Sequence, residues 1–196
     1  EKASNVDMSW LYGLYVADGT ANLHTVSFAC NKNELSIQNK IKKILESNGC
    51  NVFSYDSKES NCVSIYCNSW SLVGELKIYC KNKLNKQLPP FIFNATIKEK
   101  LSFLEGYFAG DGSLVADGIC AVSISKKIAF GIWQLLMDCG FNASISYSER
   151  KGKNCNFVHK DGKIYSGSPQ WAVKLSQKEA EIFVEKTEIK KYKNTN

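Results

Sequence analysis

Apolar residues follow three rhythms along this chain, and each rhythm occurs twice. In the first, Ile37, Ile41, Ile44 and Leu45 recur at i, i+4, i+7 and i+8, and Ile128, Ile132, Leu135 and Leu136 repeat that spacing. This is one face of an amphipathic helix, predicted over residues 35–47 and 127–139. The first of these should stop at Asn48-Gly49 and the second at Gly140. The second rhythm is strict alternation, over residues 22–30 and 113–125, the latter broken by the tight-turn pair Asp117-Gly118. Further strands are expected at 51–55 and 62–66, and at 143–147 and 171–175, with closing helices at about 69–79 and 177–185. The third rhythm is nearly continuous: residues 11–18 and 101–111 are apolar almost all round. A helix of that kind must be buried. Each half of the chain thus reads αββαββα, an α+β arrangement. Residues 1–88 are expected to form one half and 89–196 the other, joined through a polar stretch ending in Pro89-Pro90.

The match between halves is also literal. Residues 11–19 read LYGLYVADG and residues 104–112 read LEGYFAGDG, with Asp18 and Asp111 standing 93 positions apart. Val26-Ser27-Phe28 is echoed by Val122-Ser123-Ile124. Two units of about 95 residues are too few for a solenoid. They suit a pseudo-dimer of facing halves. Gly13 and Ala17 in one motif, and Gly106 and Gly110 in the other, would let the two buried helices approach backbone to backbone. The second half carries an insertion in which 156–160 and 163–166 flank Asp161-Gly162. It reads as a hairpin rich in cations: Arg150, Lys151, Lys153, Lys160 and Lys163. Such a ribbon could track a phosphate backbone.

Composition narrows the class. With 196 residues, 44% hydrophobic and 22% charged, the chain has ordinary globular usage, which excludes a disordered tail, a collagen and a coiled coil. No stretch approaches the ~20 apolar residues of a membrane span, so no membrane partner is expected. The polar start lacks a signal-peptide core. The chain opens on Glu1 rather than Met, and a piece of a longer chain is therefore expected. The net charge of +6 is compatible with a polyanionic partner. Eight cysteines occur without a CxxC, and the two histidines are far apart, so no zinc site is expected. Most of the cysteines sit in apolar strings, which favours reduced thiols and an intracellular setting.

Packed side by side about a pseudo-two-fold axis, the two apolar helices would bring Asp18 and Asp111 together. Helix C-termini already carry partial negative charge. Two carboxylates added there call for a cation, and oxygen ligands suit Mg²⁺. Carboxylates sharing divalent metal suit attack of water on a phosphodiester.

The paired motifs resemble those of the LAGLIDADG homing endonucleases in the single-chain, two-copy form. Leu11, Gly13, Leu14, Ala17, Asp18 and Gly19 match the consensus, as do Leu104, Gly106, Asp111 and Gly112. Val16 and Ala109 replace its inner Asp. The resemblance implies a saddle of two antiparallel sheets over duplex DNA, with Asp18 and Asp111 as catalytic metal ligands assisted by the carbonyls of Ala17 and Gly110. It implies Mg²⁺, with Mn²⁺ able to substitute, cleavage to short 3′ overhangs, and a monomer acting on a long specific duplex site. Lys86-Gln87-Leu88-Pro89 is similar to a block of intein-type members, which makes Lys86 the candidate active-site lysine. Its partner would lie among Lys190, Lys191 and Lys193, with Lys191 preferred. Alternation nominates DNA contacts on outward strand positions. In the first half these are Asn22, His24, Thr25, Ser27, Ser54, Asp56 and Ser64. In the second they are Ser113, Ser123, Ser146, Ser148 and Lys174. Lys32, Lys126 and Lys127, at the starts of the middle helices, are candidates for phosphate contact. The alternative is a non-cleaving binder on the same scaffold, such as an RNA maturase or a transcription regulator. The Lys86 block and the missing Met lean toward an intein over an intron-encoded enzyme.

Overall fold

The computed structural model describes residues 3–79, 86–149, 156–158, 164–166, 168–187 and 189. Its two central helices begin the same way. The Ser4 hydroxyl accepts from the Asp7 N–H, and the Asp7 carboxylate accepts from the Ser4 N–H, ahead of α1 (Asn5–Asp18). Thr96 and Glu99 form the same reciprocal pair ahead of α4 (Ile97–Asp111). Each pair satisfies two N–H groups that a helix start leaves without an internal partner.

From each central helix the chain runs directly into a hairpin. The first half continues through β1 (Gly19–Asn22), β2 (Thr25–Asn31), α2 (Leu35–Ser47), β3 (Val52–Asp56), β4 (Cys62–Asn68) and α3 (Trp70–Tyr79). After a short 3₁₀ turn at Pro90–Asn94 and α4, the second half repeats the order. Its elements are β5 (Gly112–Val115), β6 (Gly118–Ser123), α5 (Lys126–Asp138), β7 (Ala143–Ser148), β8 (Asn156–Val158), β9 (Ile164–Ser166), β10 (Gln170–Ser176) and α6 (Gln177–Thr187). The first sheet is ordered β1-β2-β4-β3 and the second β5-β6-β10-β7, both antiparallel. The expected insertion is a separate two-stranded ribbon, β8 with β9, in which Phe157 pairs Tyr165.

The middle helices end as their sequence predicts. Gly49 and Gly140 have φ of +74° and +83°. Gly49 N–H donates to Glu46 O and Cys50 N–H to Leu45 O; Gly140 and Phe141 do the same to Met137 O and Leu136 O. This is the Schellman pattern, in which a left-handed residue turns the chain back onto its last carbonyls. The central helices end differently. Gly19 and Gly112 follow Asp18 and Asp111 but are extended, with φ of −86° and −77°. They are not the left-handed caps that Asp-Gly suggests. Gly19 is needed for space, because a Cβ there would overlap the Tyr15 side chain.

The core forms two clusters, one on the inner face of each sheet. One joins Trp10, Leu11 and Leu14 of α1 to Val26, Phe28, Ile65 and Leu76. The other joins Phe103, Leu104 and Phe108 of α4 to Ile119, Val173 and Phe183. Two buried residues of the central helices cross over: Val16 of α1 packs in the second cluster and Ala109 of α4 in the first. These are matching motif positions, the two where the consensus Asp is absent, and an apolar side chain is what each foreign core admits. Among the described residues six cysteines are free thiols. Burial is the first cause that pushes Cys30 and Cys67 up to about 12, so both act as small apolar residues.

Candidate active site

Two glycines set how closely α1 and α4 meet. A Cβ on Gly13 would overlap the Phe103 carbonyl oxygen, and one on Gly106 would overlap the Trp10 carbonyl oxygen. The relation is reciprocal, since Phe103 stands three residues before Gly106 and Trp10 three before Gly13. Nearer the C-terminal ends, a Cβ on Gly110 would lie 2.6 Å from the Ala17 Cβ and 2.8 Å from Asp18 Oδ2. The Asp18 carboxylate therefore lies against the residue that precedes Asp111. Asp18 is exposed and Asp111 half-buried.

Tyr107, only 1% exposed, completes this junction. Its hydroxyl is hydrogen-bonded to the Asp111 carboxylate one turn later on α4 and also feels the charge of Asp18. Burial first, then Asp111 and Asp18, hold that hydroxyl well above the usual tyrosine range, so it stays a proton donor. Neither central helix has a basic residue in its last turn. The cation comes from elsewhere in the chain. Lys86 Nζ donates to the Val16 carbonyl at 3.1 Å, and the Lys86 carbonyl accepts from Ser125 Oγ at 2.8 Å. Ser125 also caps α5 by accepting from Ile128 N–H. Lys86 is thus anchored from the second half while its ammonium rests on the end of α1.

Two carboxylates with helix-end carbonyls are hard oxygen donors and fit Mg²⁺, which is commonly held by one or two carboxylates, waters and substrate phosphates. Among the described residues no group of three or more His, Cys, Asp or Glu is placed to hold a metal ion.

The sheets present their open faces on the sides away from the helices, and pairing register identifies which residues lie there. On β1 and β2 these are Thr20, Asn22, Thr25, Ser27, Ala29 and Asn31, since their neighbours Val26, Phe28 and Cys30 are buried. Across the sheet follow Ser64, Tyr66 and Asn68 of β4, then Phe53 and Tyr55 of β3. Thr25, Ser27 and Ser64 lie where alternation puts them. Ser54 and Asp56 do not: they pair with buried Ile65 and Val63, so they share the helix-covered face and are exposed only because β3 is an edge. In the second sheet Ser113, Ser146, Ser148 and Lys174 are on the open face. Ser123 shares the face of Ala121 and Ile119, and its Oγ accepts from Ser125 N–H at 3.1 Å, which binds it into the turn before α5.

Several cations are already engaged. Lys32 Nζ donates to the Ser57 carbonyl at 2.6 Å, Lys174 pairs with Asp117, and Lys126 lies over the Phe130 and Trp171 rings. Lys127 is exposed, as is His24, whose ring centroid is 5.5 Å from that of Trp70. Arg150, Lys151, Lys153, Lys160, Lys163 and Lys191 lie outside the described residues. Sequence reasoning missed Tyr107, read only as packing, and the open-face aromatics Phe53, Tyr55 and Tyr66. A donor one helical turn before Asp111 was the available signal for the first.

Two pseudo-symmetric halves, meeting through motif helices whose Asp-bearing ends converge, define a protein of the LAGLIDADG homing endonuclease type in fold. Residues 98–188 match the LAGLIDADG-like domain and belong to that family. Across 94% of this chain and 97% of the other, the structure is similar to mesophilic variants of the homing endonuclease I-DmoI, with a TM-score of 0.64 at 12% identity. It is similar to the N-terminal LAGLIDADG domain of DUF199/WhiA with a TM-score of 0.63 at 15% identity, covering 95% and 85%. Among curated sequences, a DNA polymerase of Acanthamoeba polyphaga mimivirus is 32% identical over 160 residues, 74% of this chain and 9% of that protein. The DNA-directed RNA polymerase subunit Rpo1C of Methanocaldococcus jannaschii is 33% identical over 136 residues, 66% of this chain and 15% of that protein. The chain therefore spans only about a tenth to a seventh of the length of these relatives. Among the described residues no helix is long and apolar enough to cross a membrane.

Proposed function

We propose that this chain is a site-specific, divalent-metal-dependent endonuclease that cuts both strands of duplex DNA. The observation that carries the reading is the convergence of Asp18 and Asp111 at one helix junction with the Lys86 ammonium beside it. Bound Mg²⁺ would offset the two like charges and supply Lewis acidity at the phosphodiester. Asp18 and Asp111 would hold it, one from each half, with the carbonyls of Ala17 and Gly110 as further oxygen donors. Tyr107 fixes the Asp111 carboxylate through its buried hydroxyl. Lys86 stands where a cation can stabilise charge developing on the phosphate during in-line attack by water. The metal preference is supported by the donor set and by I-DmoI structures solved with DNA and Ca or Mn.

The lengths of the relatives support a mobile module. A DNA polymerase and an RNA polymerase subunit each match this chain over a small part of their length. A segment of one size inside proteins of different chemistry fits an insert better than a shared polymerase activity. The endonuclease part of an intein is the context we infer. A second reading, a duplex binder that does not cut, keeps the fold, which matches WhiA as well as I-DmoI.

Cleavage of a randomised plasmid library in Mg²⁺ separates the two. The wild-type chain is expected to linearise members carrying its site. Asp18→Asn or Asp111→Asn should abolish cutting and leave duplex binding intact. Cutting by both Asn variants at the wild-type rate would overturn the catalytic assignment. Binding by wild type without any cutting would establish the second reading.

A further inference from the structure

Major-groove recognition uses a limited set of side chains: Arg or Lys for guanine, Asp or Glu for cytosine, Asn or Gln for adenine, and Ala, Phe or the Thr methyl for the thymine methyl group. The open face of the first sheet is one-sided in these terms. Its residues on β1, β2, β3 and β4 include no Arg, Lys, Asp or Glu. The one carboxylate on these strands, Asp56, is on the opposite face. The nearest cation at a strand end, Lys32, is committed to the Ser57 carbonyl.

What the face does carry suits A·T pairs. Asn22 is exposed at the end of β1 and Asn68 at the end of β4. Thr20 and Ser27 hydrogen-bond each other at 2.8 Å, and Thr25 donates to Asn68 Oδ1 at 2.8 Å. These bonds use the Thr25 hydroxyl proton, one of the Thr20 and Ser27 hydroxyl protons and one lone pair of Asn68 Oδ1, so the Asn68 amide N–H₂ and the methyl groups of Thr20 and Thr25 remain as uncommitted surface. Ala29 is exposed beside them, and Phe53 is 47% exposed on the outer strand, stacked on Tyr66. The second sheet lacks this one-sidedness, because Lys174 lies on its open face and pairs with Asp117.

We infer that the duplex half-site addressed by the first sheet is A·T-rich, read through amide contacts to adenine and methyl or aryl contacts to thymine. This rests on the DNA-binding reading above and specifies its substrate. A face without charge contacts bases and leaves phosphate contact to cations elsewhere. Gly and small side chains are not needed to explain it; the excluded residue types carry the inference.

The test is selection of bound duplexes from a randomised library by the full chain in Ca²⁺, followed by binding to the enriched duplex. One half of the enriched site is expected to be dominated by A·T pairs. Replacing its thymines by uracil, or its adenines by 7-deazaadenine, should weaken wild-type binding about tenfold at contacted positions. Asn22→Ala and Asn68→Ala, both at exposed positions, should relax base preference in that half and no other. A G·C-rich half-site mapped by these variants, or indifference to both base analogues, overturns the inference while leaving DNA recognition standing. Failure to enrich any duplex overturns the DNA-binding reading and this inference with it.

Discussion

At the scale of single residues, the two carboxylates at the helix junction are not equivalent. Asp111 has Tyr107 one turn behind it, whereas the matching position behind Asp18 is Leu14, which has no donor. A hydrogen bond from a neighbouring group to a metal-binding carboxylate fixes its orientation, and losing such a partner commonly costs about 10–100-fold in affinity or activity. Tyr107→Phe keeps the ring and its packing but removes the hydroxyl. It is expected to slow plasmid cutting about tenfold or more and to raise the Mn²⁺ concentration needed for half-maximal cutting, with duplex affinity unchanged. An unaltered metal dependence would show that the hydroxyl only fills space. That Asp18 and Asp111 end matching helices was legible in the sequence because the motif occurs twice. Tyr107 was not, because an aromatic in an apolar helix is read as core until its hydroxyl is seen to have a charged partner.

At the scale of elements, the reciprocal seat of α1 on α4 makes Gly13 and Gly106 intolerant of any side chain. The obstruction at each is a backbone carbonyl of the opposite helix, which cannot rotate away. Gly106→Ala should therefore destabilise by about 3 kcal/mol or more, as overpacking against rigid atoms does. Gly74, inside α3, has nothing within 4 Å of its Cβ position. Gly74→Ala should stabilise by about 0.5–1 kcal/mol through helix propensity alone. Chemical denaturation of the two variants reads both signs in one experiment. Helices and strands were legible from periodicity because burial enforces it. The side on which Ser54 falls was not, because its strand is exposed on nearly every residue. Counting from half-buried Val52, which pairs with buried Cys67, places Ser54 and Asp56 correctly. Ser123 escaped for another reason: it serves the turn into α5, a local hydrogen-bonding role that hydropathy does not report.

At the scale of the whole molecule, the described strands of the first sheet carry no charged side chain on their open face, and Lys174 on the second is paired with Asp117. Duplex binding by the +6 chain should weaken steeply with salt, since each neutralised phosphate adds a slope of about −0.9 to the double-logarithmic plot. Lys127 is exposed at the start of α5, whereas Lys32 is held by Ser57. Lys127→Ala should shallow the slope by about one phosphate equivalent, and Lys32→Ala should leave it unaltered. A salt-independent affinity would contradict the proposed partner.

The joining of both copies in one polypeptide has a consequence for inheritance. Two identical subunits can only address a palindrome, because symmetry repeats every contact. Here a single gene encodes each copy separately, so a mutation under one sheet is not mirrored under the other. Leu14 against Tyr107, and an uncharged face against one bearing Lys174, are differences of the kind such freedom allows. Under the proposed function, such a chain would follow a changing genomic address one flank at a time.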